Sequence, residues 1–343
     1  MPSLETIDVA SLTRLAIDAF RLADLSAEHA AISADILVEA DMMGLATHGV
    51  VRVPAYAGRL RSGGVDAAAV PAVERKAPGL ALVDGRNAIG TVVGARGLEA
   101  GLEMVAASGL AYVGCRASNH LGALAPYAFK ACEAGYVFMG GTNASTTMIP
   151  WGGSEARMGN NPLCIAAPSA DGMHFILDMA MSVAARGKIR AAQKAGSAIP
   201  DGWATDSAGV PTNDADEALK GFLSPVGGYK GSGLALAVDI LCGVLTGGRF
   251  LTDVASWSDS PDAPSGLGHF FWLLDPDRLI GGEVFAAAME RFKKIVLDTP
   301  PAQPASPVLL PGQREQEHRR AAAQHGIELP GDLLQAIRRL AGA

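Results

Sequence analysis

From about Pro71 the chain repeats one texture, a short apolar run followed by a longer stretch with helical spacing. LALVDG (80–85), LAYVGCR (110–116) and YVFMGGTN (136–143) read as strands, and Thr91 to Ser108 and Gly122 to Glu133 as the helices between them. Such alternation predicts an α/β fold, a sheet with helices packed on it. CIAAPS (164–169), HFILDMA (174–180) and GHFFWLLDP (268–276) extend the list of strands. GSGLALAVDILCGVL (231–245) is apolar almost all round, which predicts a buried helix, and Glu283 to Leu297 is amphipathic. The proline-rich TPPAQPASPVLLPG (299–312) cannot be regular structure, and two short helical patterns, about Gln316 to His325 and Leu333 to Leu340, follow it.

Two helices precede this body. Leu12, Leu15, Ala16 and Ala19 fall at helical spacing after Ser11. Ser26 then reads as the N-cap of a second helix, whose Ile32, Ile36, Ala40 and Met43 share a face and which Gly44 closes. Immediately beyond lies GLATHGVVRVPAY (44–56), which crowds Thr47, His48, Arg52 and Tyr56 into ten residues of a chain only 18% charged and 6% aromatic. A rigid helix end can hold such side chains at the edge of a cleft.

With 343 residues, 49% of them hydrophobic, the chain can bury a substantial core in one large or two ordinary domains. The net charge of −7 and the lack of Lys/Arg runs with interleaved aromatics argue against nucleic acid as a partner. MPSLETIDVASL shows neither the basic nor the apolar region of a secretory signal. The longest apolar run, Leu234 to Leu245, is interrupted by Asp239 and falls short of the roughly 20 residues of a membrane span. Cys115, Cys132, Cys164 and Cys242 lack CxxC spacing and sit in apolar surroundings, so a reduced, cytoplasmic protein without disulfides is expected.

Two phosphate-binding signatures are missing. GTVVGARG (90–97) and GYKGSG (228–233) do not have GxGxxG spacing, and GxxxxGK[ST] does not occur. A standard Rossmann fold is therefore not expected. His120, in RASNHLG (116–122), follows a predicted strand and precedes a helix, the edge where open α/β sheets bind ligands. It is a candidate proton carrier or a structural histidine. In a helical turn His48 and Arg52 would point the same way, the guanidinium fork matching a carboxylate and Tyr56 adding a phenol. A solvated arginine beside a core tyrosine is the plain alternative.

Lys230, in GGYKGSG (227–233), could cradle a phosphate together with backbone N–H groups, act as a Schiff-base nucleophile, or sit in a surface loop. Residues 141–168 are dense in Gly, Asn, Ser and Thr, which suits a loop lining a polar ligand as well as an ordinary connection. Asp178 interrupts an apolar run and needs a partner if buried. His29, His174, His269, His318 and His325 have no chemical company and read as structural, and no local spacing of ligands suggests a metal site.

Taken in order, THGVVRVPAY, SNHLGALAPYA, TNASTTMIPWGG, GNNPLCIAAPS, LDMAMSVAARGKI, IPDGWATDSAGVPT, PVGGYKGSGLALAVDILCGVLTGG, GLGHFFWLLDP and LLPGQRE resemble one family over almost the whole chain. It is the family of malate, L-lactate and L-sulfolactate dehydrogenases of the second type. Ureidoglycolate dehydrogenase, diketogulonate reductase and the reductases of Δ1-piperideine-2-carboxylate and Δ1-pyrroline-2-carboxylate also belong to it.

The resemblance implies a non-Rossmann NAD(P)H-binding fold of the L-sulfolactate dehydrogenase type, a homodimer or higher oligomer, and hydride transfer to or from C2 of a small carboxylate substrate. That substrate would be a 2-hydroxy/2-oxo acid or, alternatively, a cyclic imino acid. A Schiff-base lyase built on Lys230 and a non-catalytic binder of small acids are the rivals from other classes. On the same analogy His120 is the general acid/base and Arg52 the carboxylate clamp, while His48, with Thr47 and Tyr56, lines the substrate and nicotinamide pocket. His48 and His120 count among both the catalytic and the cofactor-contacting residues, and Asn143, Asp178, Met179, Ala180, Lys230, Gly312, Gln313 and Arg314 match further cofactor positions. Ala144 stands where relatives often carry serine, which removes one hydroxyl. The analogy also implies a helical lobe from residues 1–70 and 313–343 beside an α/β body over residues 71–312.

Overall fold

Seven strands form the main sheet of the computed structural model, which describes residues 3–303 and 306–343; residues 304 and 305 of the proline-rich connection and the first two residues lie outside it. Their spatial order is Ala72–Ala77, Leu80–Asp84, Leu110–Ser118, Leu267–Leu274, Val137–Thr142, Leu163–Ala167 and Phe175–Met179. Only Leu80–Asp84 and Leu110–Ser118 run parallel, so the sheet is mixed and not the parallel stack of a Rossmann domain. The strand latest in sequence, Leu267–Leu274, lies at the centre of the sheet and pairs antiparallel with both neighbours, Phe271 opposite Val113 on one side and Gly140 on the other. Phe270, Phe271 and Leu273 of that strand are fully buried, as a central strand requires.

Gly90–Ser108 and Ala125–Glu133 pack on this sheet. The second helix starts at Ala125, not at the expected Gly122, because Gly122 has φ +88° and Pro126 suits the first turn. Ala27–Met42 begins at the expected cap, the Ser26 hydroxyl accepting the His29 N–H at 3.1 Å. Val9–Arg21 begins earlier than read from sequence: Asp8 is its cap and accepts the N–H of Ser11. A two-stranded pairing of Leu4–Ile7 with Ile327–Pro330, absent from the sequence reading, joins the two ends of the chain. Phe20, Leu37, Leu329 and Ile337 share one core with Tyr56 and Val92.

The apolar segment 231–245 departs from expectation. It forms Tyr229–Asp239 and then a wider-wound turn over Ile240–Val244, and Leu234, Ile240, Val244 and Leu245 are each about half exposed. Its composition therefore reports an uncovered apolar surface as well as a buried face. Gly282–Leu297 behaves similarly, with Val284, Phe292 and Ile295 exposed and Lys293 buried. The four cysteines are buried and unpaired with one another. Among the described residues no helix is long and apolar enough to cross a membrane.

Candidate active site

The GLATHGVVRVPAY segment leaves the Ala27–Met42 helix, makes a 3-10 turn at Val50–Arg52 and continues as the helix Val53–Ser62. Asp41 sets that turn. Its Oδ2 accepts the Val50 N–H at 2.6 Å, and a Cβ on Gly49 would lie 2.0 Å from its other oxygen, so glycine is required there. Burial raises the Asp41 carboxyl to about 7. An acidic residue inside the apolar ILVEADMMG run was the signal for this partner, and the sequence reading passed over it.

The turn aims Arg52 with its Nε donating to the Thr47 carbonyl at 2.7 Å, while neither Nη has a protein partner among the described residues. The guanidinium lies 5.3 Å from the centre of the Trp257 ring. One helical turn on, the Tyr56 hydroxyl is 2.5 Å from His120 Nδ1, joining GLATHGVVRVPAY to RASNHLG. His48 stacks on His120 with centroids 5.6 Å apart and planes 23° apart, and its Nδ1 is 2.8 Å from the Thr47 hydroxyl. Trp257 closes the group, 5.6 Å from the His120 ring centre. Thr47, His48, Arg52, Tyr56 and His120, which the sequence singled out, thus form one cluster with a tryptophan that it did not.

His120 is placed from the sheet. It follows the Leu110–Ser118 strand, and Asn119 beside it is tied down by its amide, which donates to the carbonyls of Asn87 and Ala88. The start of the Gly90–Ser108 helix crosses so closely that a Cβ on Gly90 would lie 2.1 Å from the Asn119 oxygen. Gly122 N–H also points at His120 Nδ1, at 3.3 Å. With N–H and O–H donors on Nδ1, the neutral ring carries its proton on Nε2. Burial first, then the nearby His48 and Arg52, hold the His120 pKa well below the ordinary histidine value. His48 is lowered to about 4 by burial and then by Arg52. Burial raises the Tyr56 phenol, keeping it protonated. The cluster in the free protein is one guanidinium among neutral rings.

A second group of the candidates gathers along a neighbouring groove. A cavity of about 480 Å³ is lined by Leu45, Asp178, Leu309, Gly312 and Arg314, and Leu45 connects it to the THG turn. Asp178 has the partners its burial demanded: Oδ2 accepts the N–H groups of Leu124 and Ala125 at the start of a helix, at 3.1 and 2.8 Å. Burial dominates over these bonds and raises the carboxyl to about 6. Gln313 and Arg314 open the Gln313–His325 helix, and Met179 and Ala180 continue from Asp178.

Two candidates lie differently. The Asn143 side chain is fully used inside the protein, donating to Asp239 and the Arg249 carbonyl and accepting from Gly268 N–H. Ala144 N–H is likewise bound, to Asn161. Lys230 is exposed in the first turn of Tyr229–Asp239, so the desolvation that would activate a Schiff-base amine is absent. His269 and His174 serve structure: His269 bridges Thr142 and Ser118, and His174 pairs with Glu133.

Comparison with known proteins adds the family. The model for malate/L-lactate dehydrogenase matches residues 7–338. The chain belongs to this malate/L-lactate dehydrogenase family. Ureidoglycolate dehydrogenase (NAD(+)) of Escherichia coli K12 is 35% identical over 92% of this chain and 90% of its own. The solved sulfolactate dehydrogenase of Methanocaldococcus jannaschii superposes with a TM-score of 0.92 at 30% identity, covering 98% of this chain and 97% of that one. The Δ1-piperideine-2-carboxylate reductase structure from Pseudomonas syringae gives 0.89 at 30% identity, over 98% and 99%. As a member of the family the protein is an NAD(P)-dependent oxidoreductase, and relatives are named for NAD(+) and for NADP(+). The mixed sheet and these superpositions bear out the fold expected from the resemblance.

Proposed function

We propose that the cluster around Arg52 and His120 binds the carboxylate of a small 2-oxo acid and protonates the group next to it as C2 is reduced. One observation carries this reading: a guanidinium whose two terminal nitrogens have no partner among the described residues stands beside a histidine whose Nδ1 is already engaged. Bound NAD(P)H supplies the hydride to C2. Arg52 fixes the carboxylate in a planar, two-point grip, an orientation effect that contributes several kcal/mol. The carboxylate also offsets the positive charge that disfavours protonation of His120, so binding favours uptake of a second proton, at Nδ1. The proton already on Nε2 then passes to the substrate oxygen, leaving a hydroxy acid and a neutral His120 protonated on Nδ1. The Tyr56 hydroxyl partners Nδ1 in both states because it can accept or donate. His48 and Thr47 wall the site.

The groove beside Leu45 suits the cofactor by its donor set. Asp178 Oδ1 has no protein partner among the described residues and is placed to accept from a hydroxyl, Arg314 and the first turn of its helix suit phosphate, and leucines supply apolar wall. Met179, Ala180, Gly312 and Gln313 belong to the same reading. Asn143, its side chain held inside the protein, belongs to this reading through the family resemblance only, and exposed Lys230 reaches only a ligand that extends over the surface.

The same geometry serves a C=N bond beside a carboxylate, and the reductase superposition supports that second reading. A homodimer is supported by the exposed apolar side chains of 234–245, and a cytoplasmic location by four unbridged cysteines. The division into a lobe of residues 1–70 with 313–343 and a body of 71–312 is supported by the pairing of the chain's ends. The test is oxidation of NADH and NADPH with pyruvate, oxaloacetate, 2-oxoglutarate, sulfopyruvate and the two cyclic imines. Turnover of the oxo acids is expected; turnover confined to the imines selects the second reading, and none with either cofactor refutes both.

A further inference from the structure

Resting on the reading above, we infer that the substrate carries one negative charge and an apolar skeleton, and that Trp257 is the wall that selects it. Two arginines, Arg52 and Arg59, lie near Tyr56 and His120. Only one is free. Arg59 is 3% exposed and its guanidinium is spent on the loop that follows Trp257, donating to the Pro261 and Ala263 carbonyls, to Ser265 and to Gly64. That leaves the Arg52 fork as the cationic contact in a cluster whose other members are a threonine, two neutral imidazoles, a phenol and an indole. A dicarboxylate or a sulfo-carboxylate would bring a second anion among these groups, which hold no second cation among the described residues of the cluster, and this costs affinity.

Trp257 faces the same space. Its ring covers the Arg52 guanidinium at 5.3 Å and stands 5.6 and 6.5 Å from the ring centres of His120 and Tyr56. A carboxylate on Arg52 with C2 next to His120 directs the rest of the molecule along or away from the indole. The wall is built rather than draped. Ser62 hydroxyl also donates to the Pro261 carbonyl, at 3.1 Å, and residue 64 is a glycine whose Cβ would meet that same oxygen at 2.0 Å. The Val53–Ser62 helix that presents Tyr56 is thereby fastened to the loop that presents Trp257, making Arg59 a positioning residue for the wall.

The experiment measures kcat/KM on 2-oxohexanoate, Δ1-piperideine-2-carboxylate, pyruvate, oxaloacetate and sulfopyruvate for the wild type, Trp257→Ala, Trp257→Phe and Trp257→Arg. The wild type is expected to favour 2-oxohexanoate or the cyclic imine over both dianions by about tenfold or more, and which of the two leads tells a C=O from a C=N substrate. Trp257→Ala should lower the ratio of the preferred substrate to pyruvate by about tenfold, chiefly through KM. Any general damage to Arg52 cancels in that ratio. Trp257→Phe should restore most of it, and Trp257→Arg should raise oxaloacetate relative to pyruvate. A wild type that prefers oxaloacetate or sulfopyruvate, or a ratio unmoved in Trp257→Ala, overturns the inference and leaves the reductase reading standing. Absence of turnover on every substrate by correctly folded protein, with both cofactors, removes that reading and this inference with it.

Discussion

Replacing Arg52 by lysine keeps the charge and removes the fork. In the wild type Nε is committed to the Thr47 carbonyl at 2.7 Å and the two Nη groups remain for the substrate, so one side chain is both anchored and bidentate. An ammonium can reach the carbonyl or the carboxylate but cannot grip both with fixed geometry. Arg52→Lys then forfeits one charge-assisted hydrogen bond, about 1.5–3 kcal/mol, and part of the stacking on Trp257, about 0.5–1 kcal/mol. The sum, about 2–4 kcal/mol, is roughly a 30- to 1000-fold fall in kcat/KM. The assay is steady-state reduction of the best oxo or imino acid, run beside a titration of NADH binding by fluorescence, which should be unchanged. A fall of less than about threefold would show that Arg52 does not hold the carboxylate, and the charge argument for a monoanionic substrate would go with it.

Other perturbations separate the remaining parts. Tyr56→Phe leaves His120 Nδ1 with only the long Gly122 contact, so kcat should fall about 10- to 100-fold with KM little changed, and full activity would disprove the pairing. Gly90→Ala forces a methyl onto the Asn119 carbonyl and must move the segment carrying His120; a stability loss of about 1–3 kcal/mol with reduced kcat is expected, and unchanged melting and turnover would refute it. Asp41 gives a signed pH effect. Its carboxyl keeps its proton to about pH 7 when folded but releases it near 4 when unfolded, so the folded state binds more protons in between. This stability contribution is fully present below that window and declines as pH rises through it. Asp41→Asn, which can still accept from Val50 but cannot titrate, should gain on the wild type from pH 4 to pH 7 in urea unfolding, by an amount on the order of a few kcal/mol. A constant gap across pH would contradict it.

The sequence revealed the cluster where local density betrayed it and hid it where contacts were long-range. Thr47, His48, Arg52 and Tyr56 were visible because four polar or aromatic groups crowd one short segment, and His120 because it follows a strand. Trp257 gave no such sign: SWSD has neither periodicity nor apolar context, and the groups it packs on and the arginine that fastens its loop, Arg59, lie well over a hundred positions earlier in the chain. The strand segments were legible from their apolar runs, but strand order was not, since nothing local tells that Leu267–Leu274 inserts between Leu110–Ser118 and Val137–Thr142. Leu4–Ile7 and Ile327–Pro330 were missed because four residues are too few to show alternation. In 231–245 apolar composition was read as burial, yet composition records only which surface avoids water, not whether this chain alone covers it.

That inserted strand also governs how the molecule can be made. Thr142 meets Gly268 across 126 positions of sequence, so the middle of the sheet has no filling until most of the polypeptide has left the ribosome. Until then Leu110–Ser118 and Val137–Thr142 each present an unpaired edge, and Ile327–Pro330, made later still, must return to clasp Leu4–Ile7. Closure so dependent on late segments makes for slow, high-contact-order folding in which a nascent or truncated chain exposes sticky strands. Synthesis of this protein should accordingly depend on chaperone protection, and C-terminal truncations should aggregate instead of folding as smaller domains.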